Sequence, residues 1–401
     1  MQSIDPKSLV AGFQPVIDVA RGTIVGYEVL ARRQAPNSNA LDSLGHLFFG
    51  GQIPSRELLE LDRQIRRLAV DQLDDLPADS FLSLNISPDW INQLTAWTTT
   101  PLLQMLDKAG VNPQQIVLEI TEQPGSLGTM KQVVRRYREE GYRVAIDDFG
   151  AGSAHMHRIM ELEPDILKLD MKLFKNAANQ GRHYDLVHSV SRLAEKTGCQ
   201  LVCEGVETEQ EFSFGLELGA AWMQGFLFGP AEARFHDRHH YLDRVQRLRA
   251  EFLARKVGEQ RQYFDFEQQV LENLRHLKAH CLDADPATFT PQSSAVSVLK
   301  YYICNADGTQ LSPNYEISDG QVAVDASPQG VNWCWRPHFY QLLAARRTQE
   351  REFVASAQYR DVHTRLSCRS YVTALDETRY LLADIMQPDG HGPQASGVDL
   401  L

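Results

Sequence analysis

Val144-Ala-Ile-Asp-Asp-Phe-Gly-Ala-Gly152 runs from a short apolar stretch, read as a buried strand, into two adjacent carboxylates, Asp147 and Asp148. Both cannot leave the interior cheaply, and burying an unpaired charge is costly. Positive charge must meet them. Hard divalent cations do so most simply, because they take oxygen ligands and accept carboxylates readily. The pair points to metal-assisted phosphate chemistry.

Outward from this run, short β-rich segments alternate with helical patterns from Phe13 to Pro230. The strand-like runs are Phe13–Asp18, Ile24–Leu30, Phe81–Ile86, Ile116–Ile120, Val144–Ile146, Ile166–Leu169, Leu201–Cys203 and Gln224–Phe228. Such alternation marks an α/β fold, and this many runs suits a TIM-like (β/α)8 barrel better than a smaller open sheet. The first two runs are joined by Ala20-Arg-Gly-Thr23, short enough for a hairpin, so one barrel strand is expected to be antiparallel.

After the barrel, Tyr241, Val245, Leu248 and Phe252, then Phe266, Val270, Leu274 and Leu277, recur at helical spacing. They predict one or two amphipathic helices, broken near Gly258, serving as a connector or pairing with a second copy. Pro286 to Ser294 reads as a turn-rich linker. Beyond it, Val296–Cys304, Arg351–Gln358, Arg365–Leu375 and Arg379–Ile385 are strand-like and Pro337–Arg347 is helical, a small α+β domain. The expected division is a barrel over 1–233, a helical connector over 234–285, a sensory domain over 286–386 and a disordered tail over 387–401.

The 52 acidic and 40 basic residues give a net charge of -12, which argues against DNA binding through a basic face. Hydrophobic residues make up 43% of the chain, ample for a core. The six cysteines form no Cys-x-x-Cys pair, so neither a zinc cage nor a disulfide framework is expected. Met1–Lys7 lacks the apolar core of a signal peptide, and no run approaches the ~18 apolar residues of a membrane span. A cytoplasmic protein without membrane attachment is expected.

Polar residues punctuate the apolar runs. Glu28, Asn85, Glu119, Asp147, Asp148, Lys168, Glu204 and Gln224 all sit in or just after them. In a barrel, the C-terminal strand ends converge on one mouth, where active sites form. Singly, each residue reads more simply as a cap, a surface charge or a snorkelling lysine; together they would repel unless cations fill the centre. His155 and His157 read as loop residues rather than ligands. Phe48-Phe49-Gly50-Gly51 reads as a loop near the mouth, and Trp333–Pro337 with Tyr359–Asp361 reads as either an aromatic core or a pocket for a small polar ligand.

The set Glu28-Val-Leu-Ala-Arg32, Ser83-Leu-Asn-Ile-Ser87, Leu118-Glu-Ile-Thr-Glu122, Asp147-Asp-Phe-Gly-Ala-Gly152, Leu167-Lys-Leu-Asp170, Cys203-Glu-Gly-Val-Glu207 and Gln224-Gly-Phe226 resembles the EAL family of cyclic di-GMP phosphodiesterases, in family order from Ser8 to Ala233. The signature reads Glu-Val-Leu in place of Glu-Ala-Leu. The resemblance implies hydrolysis of cyclic di-GMP to linear pGpG by two Mg²⁺ or Mn²⁺ ions about 3.5–4 Å apart. Carried over by motif, Glu28, Asn85, Glu119 and Asp147 would hold one ion. Asp147 would bridge to the second, beside Asp148, with Glu204 acting through water. Lys168 would steer or deprotonate the attacking water and Gln224 would orient it. Arg32 and Gln14 would bind substrate, while Glu122, Asp170 and Glu207 would steady the ligands and the loop after Asp148.

That loop departs from the family pattern. Asp-Asp-Phe-Gly-Thr-Gly-Tyr-Ser-Ser becomes Asp147-Asp-Phe-Gly-Ala-Gly-Ser-Ala-His155, which bears on turnover and on the dimer coupling that the family implies. A barrel, a connector and a PAS-like domain also resemble YkuI-type EAL proteins, implying an unknown small ligand at the C-terminal domain and a homodimer. The rival reading is a catalytically silent cyclic di-GMP receptor signalling through that domain.

Overall fold

A computed structural model describes residues 8–34, 40–45, 47, 55–86, 101–121, 127–150, 156–179, 183–291, 296–318, 320–345 and 352–387. Glu122, the loop Ala151–His155, Phe48–Gly51, the side chain of His157 and residues 388–401 lie outside that description. The chain forms two compact units, Met1–Phe252 and Leu253–Leu401.

In the first unit, β1 (Leu9–Asp18) turns through Gly22, at φ +73°, into β2 (Thr23–Gln34). The two pair antiparallel, with Gln14 opposite Glu28. From β2 the sheet runs parallel through β4 (Phe81–Ile86), β5 (Ile116–Thr121), β6 (Arg143–Phe149), β7 (Ile166–Leu169), β8 (Gln200–Cys203) and β9 (Trp222–Met223). Strand β9 then pairs antiparallel with β1, closing an eight-stranded barrel in which β1 alone runs against its neighbours. A three-residue strand, β3 (Leu41–Ser43), extends the end of β2.

The period of two along each strand sorts its side chains. Val16, Phe81, Val117, Ala145, Ile166, Val202 and Trp222 fill the floor of the barrel. Two residues along, toward the mouth, stand Gln14, Ser83, Glu119, Asp147, Lys168, Glu204 and Gln224. The alternate positions face outward onto the surrounding helices and build the larger core, with Leu118, Ile120, Ile146, Leu167 and Leu169 buried.

The last strand differs from expectation. It is Trp222–Met223, not Gln224–Phe228; Gln224 follows it and Phe226–Phe228 is a single 3₁₀ turn. The apolar run misleads because the chain docks on the segment after β8, through Val206 N–H to Gln224 O (3.0 Å) and Leu227 N–H to Val206 O (2.9 Å). Gly225 makes that approach possible: a Cβ there would lie 2.1 Å from Val206 O.

The expected break near Gly258 is absent. One helix covers Leu242–Asp283. A lone glycine without a following proline weakens a helix by about 1 kcal/mol and does not end it. Lys256 and Arg255 pair with Glu259 across the site, at 2.8 and 3.7 Å. Nothing lies within 4 Å of a Cβ built on Gly258. Gly258→Ala is therefore expected to stabilise the chain by about 0.5–1 kcal/mol, read from the urea midpoint at unchanged slope. Tyr241, Val245 and Leu248, one of the two stripes read as packing or pairing surfaces, are buried in the barrel unit's core.

The second unit is an antiparallel sheet ordered β12-β11-β10-β16-β15-β13, from β10 (Val298–Asn305), β11 (Asn314–Ser318), β12 (Gln321–Asp325), β13 (Val354–Ala355), β15 (Ser367–Ala374) and β16 (Arg379–Met386), with β14 (Tyr359–Arg360) beside β15. The hairpin of β11 and β12 was not among the expected strands, although Tyr315/Ile317 and Val322/Val324 alternate about an Asp-Gly pair with Gly320 at φ +75°. Tyr301 and Ile303 share a core with Val270, Leu274 and Leu277 of the long helix, while Tyr302 and Cys304 share one with Phe339 and Leu342 of the helix Pro337–Ala345. Gln387, assigned to the tail by sequence, is buried, its N–H bonded to Ser367 O at 2.8 Å. Asp361 is held by Lys300 (3.1 Å), Tyr359 by Ser370 (2.8 Å), and Trp333 donates to Gln310 (2.9 Å).

Candidate metal and substrate site

Adjacent strand residues normally face opposite ways, yet Asp147 and Asp148 both line the same cavity. Two features allow it. The pairing of β6 with β7 shifts register between Ile146 and Phe149, and Asp148 takes the left-handed conformation at φ +54°. Such a bulge re-aims a side chain, and aspartate tolerates positive φ better than most residues. Gly150, at φ +97°, continues the turn where a Cβ would meet Leu173 at 2.3 Å.

Lys168, on β7, is the hub. Its Nζ lies 2.6 Å from Glu204 Oε1, 2.9 Å from Asp147 Oδ1, 3.0 Å from Glu119 Oε2 and 3.3 Å from Glu28 Oε2. Glu28 also accepts from Gln224 Nε2 at 2.6 Å and from Asn85 Nδ2 at 3.1 Å. Gln224 donates to Gln14 Oε1 at 3.2 Å as well. Ser83, to which the sequence reading gave no role, donates to Glu119 Oε1 at 2.5 Å. Its one signal was its position two residues before Asn85, on the same strand face.

The electrostatics are lopsided. Burial drives the Glu119 and Glu204 carboxyls upward, and neighbouring carboxylates add to it against Lys168. Asp148 is raised by burial and then by Asp147. Burial also raises Glu28, but Lys168 and hydrogen bonds from Gln224 and Asn85 outweigh it, leaving a net fall. Burial lowers the Lys168 ammonium, yet the four surrounding carboxylates carry it well above its usual value. One lysine cannot hold five carboxylates ionised in a buried space. The cluster is short of positive charge.

The donor set fits hard cations. Glu28, Glu119 and Asp147 bring one oxygen each within 4.8 Å of the others, and so do Asp147, Asp148 and Glu204. Asp147 belongs to both groups. Its Oδ1 is buried and accepts no well-formed hydrogen bond among the described residues, despite the 2.9 Å contact with Lys168. All these ligand atoms are oxygens, as Mg²⁺, Mn²⁺ and Ca²⁺ prefer.

Above the cluster lies a cavity of about 550 Å³, within the usual range for small-molecule sites. Glu28, Asn85, Asp147, Asp148, Glu204 and Gln224 line its polar end, and Gln14, Arg32, Asp170 and Glu207 also reach it. Arg32 donates from Nη1 to Ala31 O at 3.0 Å, and its guanidinium is half-buried. Asp170 caps the helix Met171–Ala178, accepting from Leu173 N–H at 2.9 Å. Glu207 pairs with Lys175 at 2.8 Å. Lys168 and Glu119 sit deeper, against the barrel floor. Asp62 and Arg66, absent from the sequence reading, also line the cavity.

Comparison with known proteins agrees with this geometry. Residues 1–231 match the EAL domain, and residues 237–388 match the EAL-domain associated signalling protein domain. The uncharacterized EAL-domain containing protein YkuI of Bacillus subtilis is 25% identical over 382 residues, 93% of each chain. The probable cyclic di-GMP phosphodiesterase PdeB of Escherichia coli is 30% identical over 57% of this chain and 44% of its own length. The cyclic di-GMP phosphodiesterase RocR of Pseudomonas aeruginosa is 28% identical over 61% of each. The crystal structure of B. subtilis YkuI with cyclic di-GMP and calcium superposes with a TM-score of 0.83, covering 96% of this chain and all of that one; at 23% identity it speaks for the fold. With the barrel, its carboxylate mouth and a domain match over more than half its length, the chain belongs to the EAL family.

Proposed function

We propose that the protein hydrolyses one phosphodiester bond of cyclic di-GMP, releasing linear pGpG, with two divalent ions, Mg²⁺ or Mn²⁺, held at the strand ends. The observation that carries this reading is the pair of oxygen clusters sharing Asp147 at the floor of a cavity large enough for a nucleotide. Glu28, Asn85, Glu119 and Asp147 would hold one ion; Asp147, Asp148 and Glu204 would hold the other. Bound there, the ions would lower the pKa of water and stabilise charge on the phosphate oxygens.

The chain's own residues supply the rest. We assign to Lys168 the steering or deprotonation of the attacking water. Gln224, tied to Glu28 and Gln14, orients that water. The Arg32 fork suits a non-bridging phosphate oxygen pair. Asp170 and Glu207 steady the segments beside the mouth through the helix cap and the Lys175 pair. We assign regulation to the C-terminal unit through a small ligand, and action to a cytoplasmic homodimer. No helix among the described residues is long and apolar enough to cross a membrane.

Purified protein incubated with cyclic di-GMP and Mg²⁺ or Mn²⁺ is expected to yield pGpG by chromatography. Glu28→Ala is expected to lower the rate by about 100-fold or more, since it removes one ligand and the partner of both Gln224 and Asn85. Tight binding without metal-dependent product would overturn hydrolysis and leave the receptor reading.

A further inference from the structure

One face of the C-terminal sheet changes from polar to apolar along its strands. At the polar end Lys300, Asp384 and Ser370 stand in register across three neighbouring strands. Lys300 Nζ lies 3.1 Å from Asp361 Oδ2 and 3.4 Å from Asp384 Oδ2, and Ser370 donates to Asp384 Oδ1 at 2.6 Å. Two residues along from Lys300, Tyr302 shares a core with Phe339 and Leu342 of the helix Pro337–Ala345.

Tyr302 and His338 are 8% and 4% exposed, yet neither the hydroxyl nor the imidazole is hydrogen-bonded to another described residue. Both feel the same two charges, the Asp384 carboxylate and the Arg336 guanidinium. Burial lowers the His338 pKa to about 4, so its ring is neutral and offers one N–H and one lone pair. Burying polar groups without partners is costly, and phenylalanine would fill either position without that cost. The Lys300 pairs brace the sheet and account for Asp361; they leave Tyr302 and His338 unused.

We propose that Tyr302, His338, Arg336 and Asp384 bind a small amino acid as its zwitterion. This inference rests on the reading that a small ligand at the C-terminal unit regulates hydrolysis, and it names that ligand's chemistry. Two unpaired groups that share neighbours of opposite sign suit a molecule carrying both signs. Its carboxylate would take the Arg336 fork and the Tyr302 O–H, at the N-terminal end of a nine-residue helix, where negative charge is favoured. Its ammonium would meet Asp384 and the His338 lone pair. Arg336 lies over the Trp335 and Trp333 rings at 4.4 and 5.7 Å, and Trp333 is 6.1 Å from the Tyr302 ring. These rings would wall the ligand's side chain. Phe339 and Leu342 occupy the apolar end of the face, which keeps the ligand small.

The test is calorimetric titration of the full-length protein, without cyclic di-GMP, with each proteinogenic L-amino acid. Each is set against counterparts that lack one charge, as propionate and ethylamine do for alanine. At least one amino acid is expected to bind, and both of its singly charged counterparts at least about 10-fold more weakly, the loss for a hydrogen bond to a charged group. Tyr302→Phe is expected to weaken that binding by about 10-fold and Arg336→Gln by about 10- to 100-fold. Arg336 is only half-buried, so Arg336→Gln carries the test where Tyr302→Phe does not fold. No binding by any amino acid, equal binding of the singly charged counterparts, or unchanged affinity in folded Arg336→Gln overturns the inference and leaves the hydrolase standing. Binding that meets these expectations but leaves the rate of pGpG release unchanged supports the site and overturns regulation through it.

Discussion

Lys168→Met is expected to lower the thermal midpoint of the metal-free protein steeply and to make its stability depend on divalent cations. Lys168 is buried among four carboxylates at 2.6 to 3.3 Å. Methionine fills the same space without charge, so Glu28, Glu119, Asp147 and Glu204 face one another with nothing between them. Removing one partner of a buried ion pair costs about 3–5 kcal/mol. For a unit of this size that is roughly 6–20 °C in Tm, at about 2–4 °C per kcal/mol. Protonation limits the loss, since Glu119 and Glu204 are already displaced upward and take protons first.

Added Mg²⁺ or Mn²⁺ supplies the missing charge and stabilises whichever state binds it. The gain in Tm on adding cation should therefore be larger in Lys168→Met than in the wild type. Equal gains would show that Lys168 does not stand in for cation charge. The metal-loaded variant should still turn over about 1000-fold more slowly, because a thioether cannot hold or move the proton of the attacking water.

Much of this site is legible in sequence because strands impose a period of two. A polar residue inside an apolar run, as at Glu119 or Lys168, has few places to go, and the barrel sends those of different strands to one mouth. The same rule fails at the ends of elements. Gln224–Phe228 has the apolar composition of a strand, but Gly225 packs against Val206 and turns the chain away from the sheet. Gly258 carries the local cost of a helix break, but the length of helix on either side outweighs it.

Asp62 and Arg66 were missed for a different reason. Charged residues four apart on an amphipathic helix normally face water, and only the placement of Ser55–Val70 beside the mouth turns that stripe inward. Ser83 escaped likewise, since a buried serine is informative only once Glu119 is known to lie beside it. The loop Ala151–His155, where the chain departs from its family, and Glu122 fall outside the described residues.

Asp147→Asn should do the reverse of Lys168→Met to stability while weakening metal binding at both positions. Asp147 alone belongs to both oxygen clusters, so losing its charge weakens both positions at once. Calorimetric titration with Mn²⁺ is expected to show two ions per wild-type chain and an affinity at least about 100-fold weaker in Asp147→Asn, with activity down by about 1000-fold or more. Asp148→Asn, which touches one cluster, should keep one of the two ions. The sign in the metal-free state is the sharper test. Five buried or half-buried carboxylates share one lysine, and asparagine removes one negative charge while leaving Lys168 three partners. Repulsion falls, so the metal-free Tm should hold or rise, and the stabilisation by Mn²⁺ should vanish. A variant that loses stability without metal, or that still binds two ions, would remove Asp147 from the bridge and return the aspartate pair to an ordinary ion pair with Lys168.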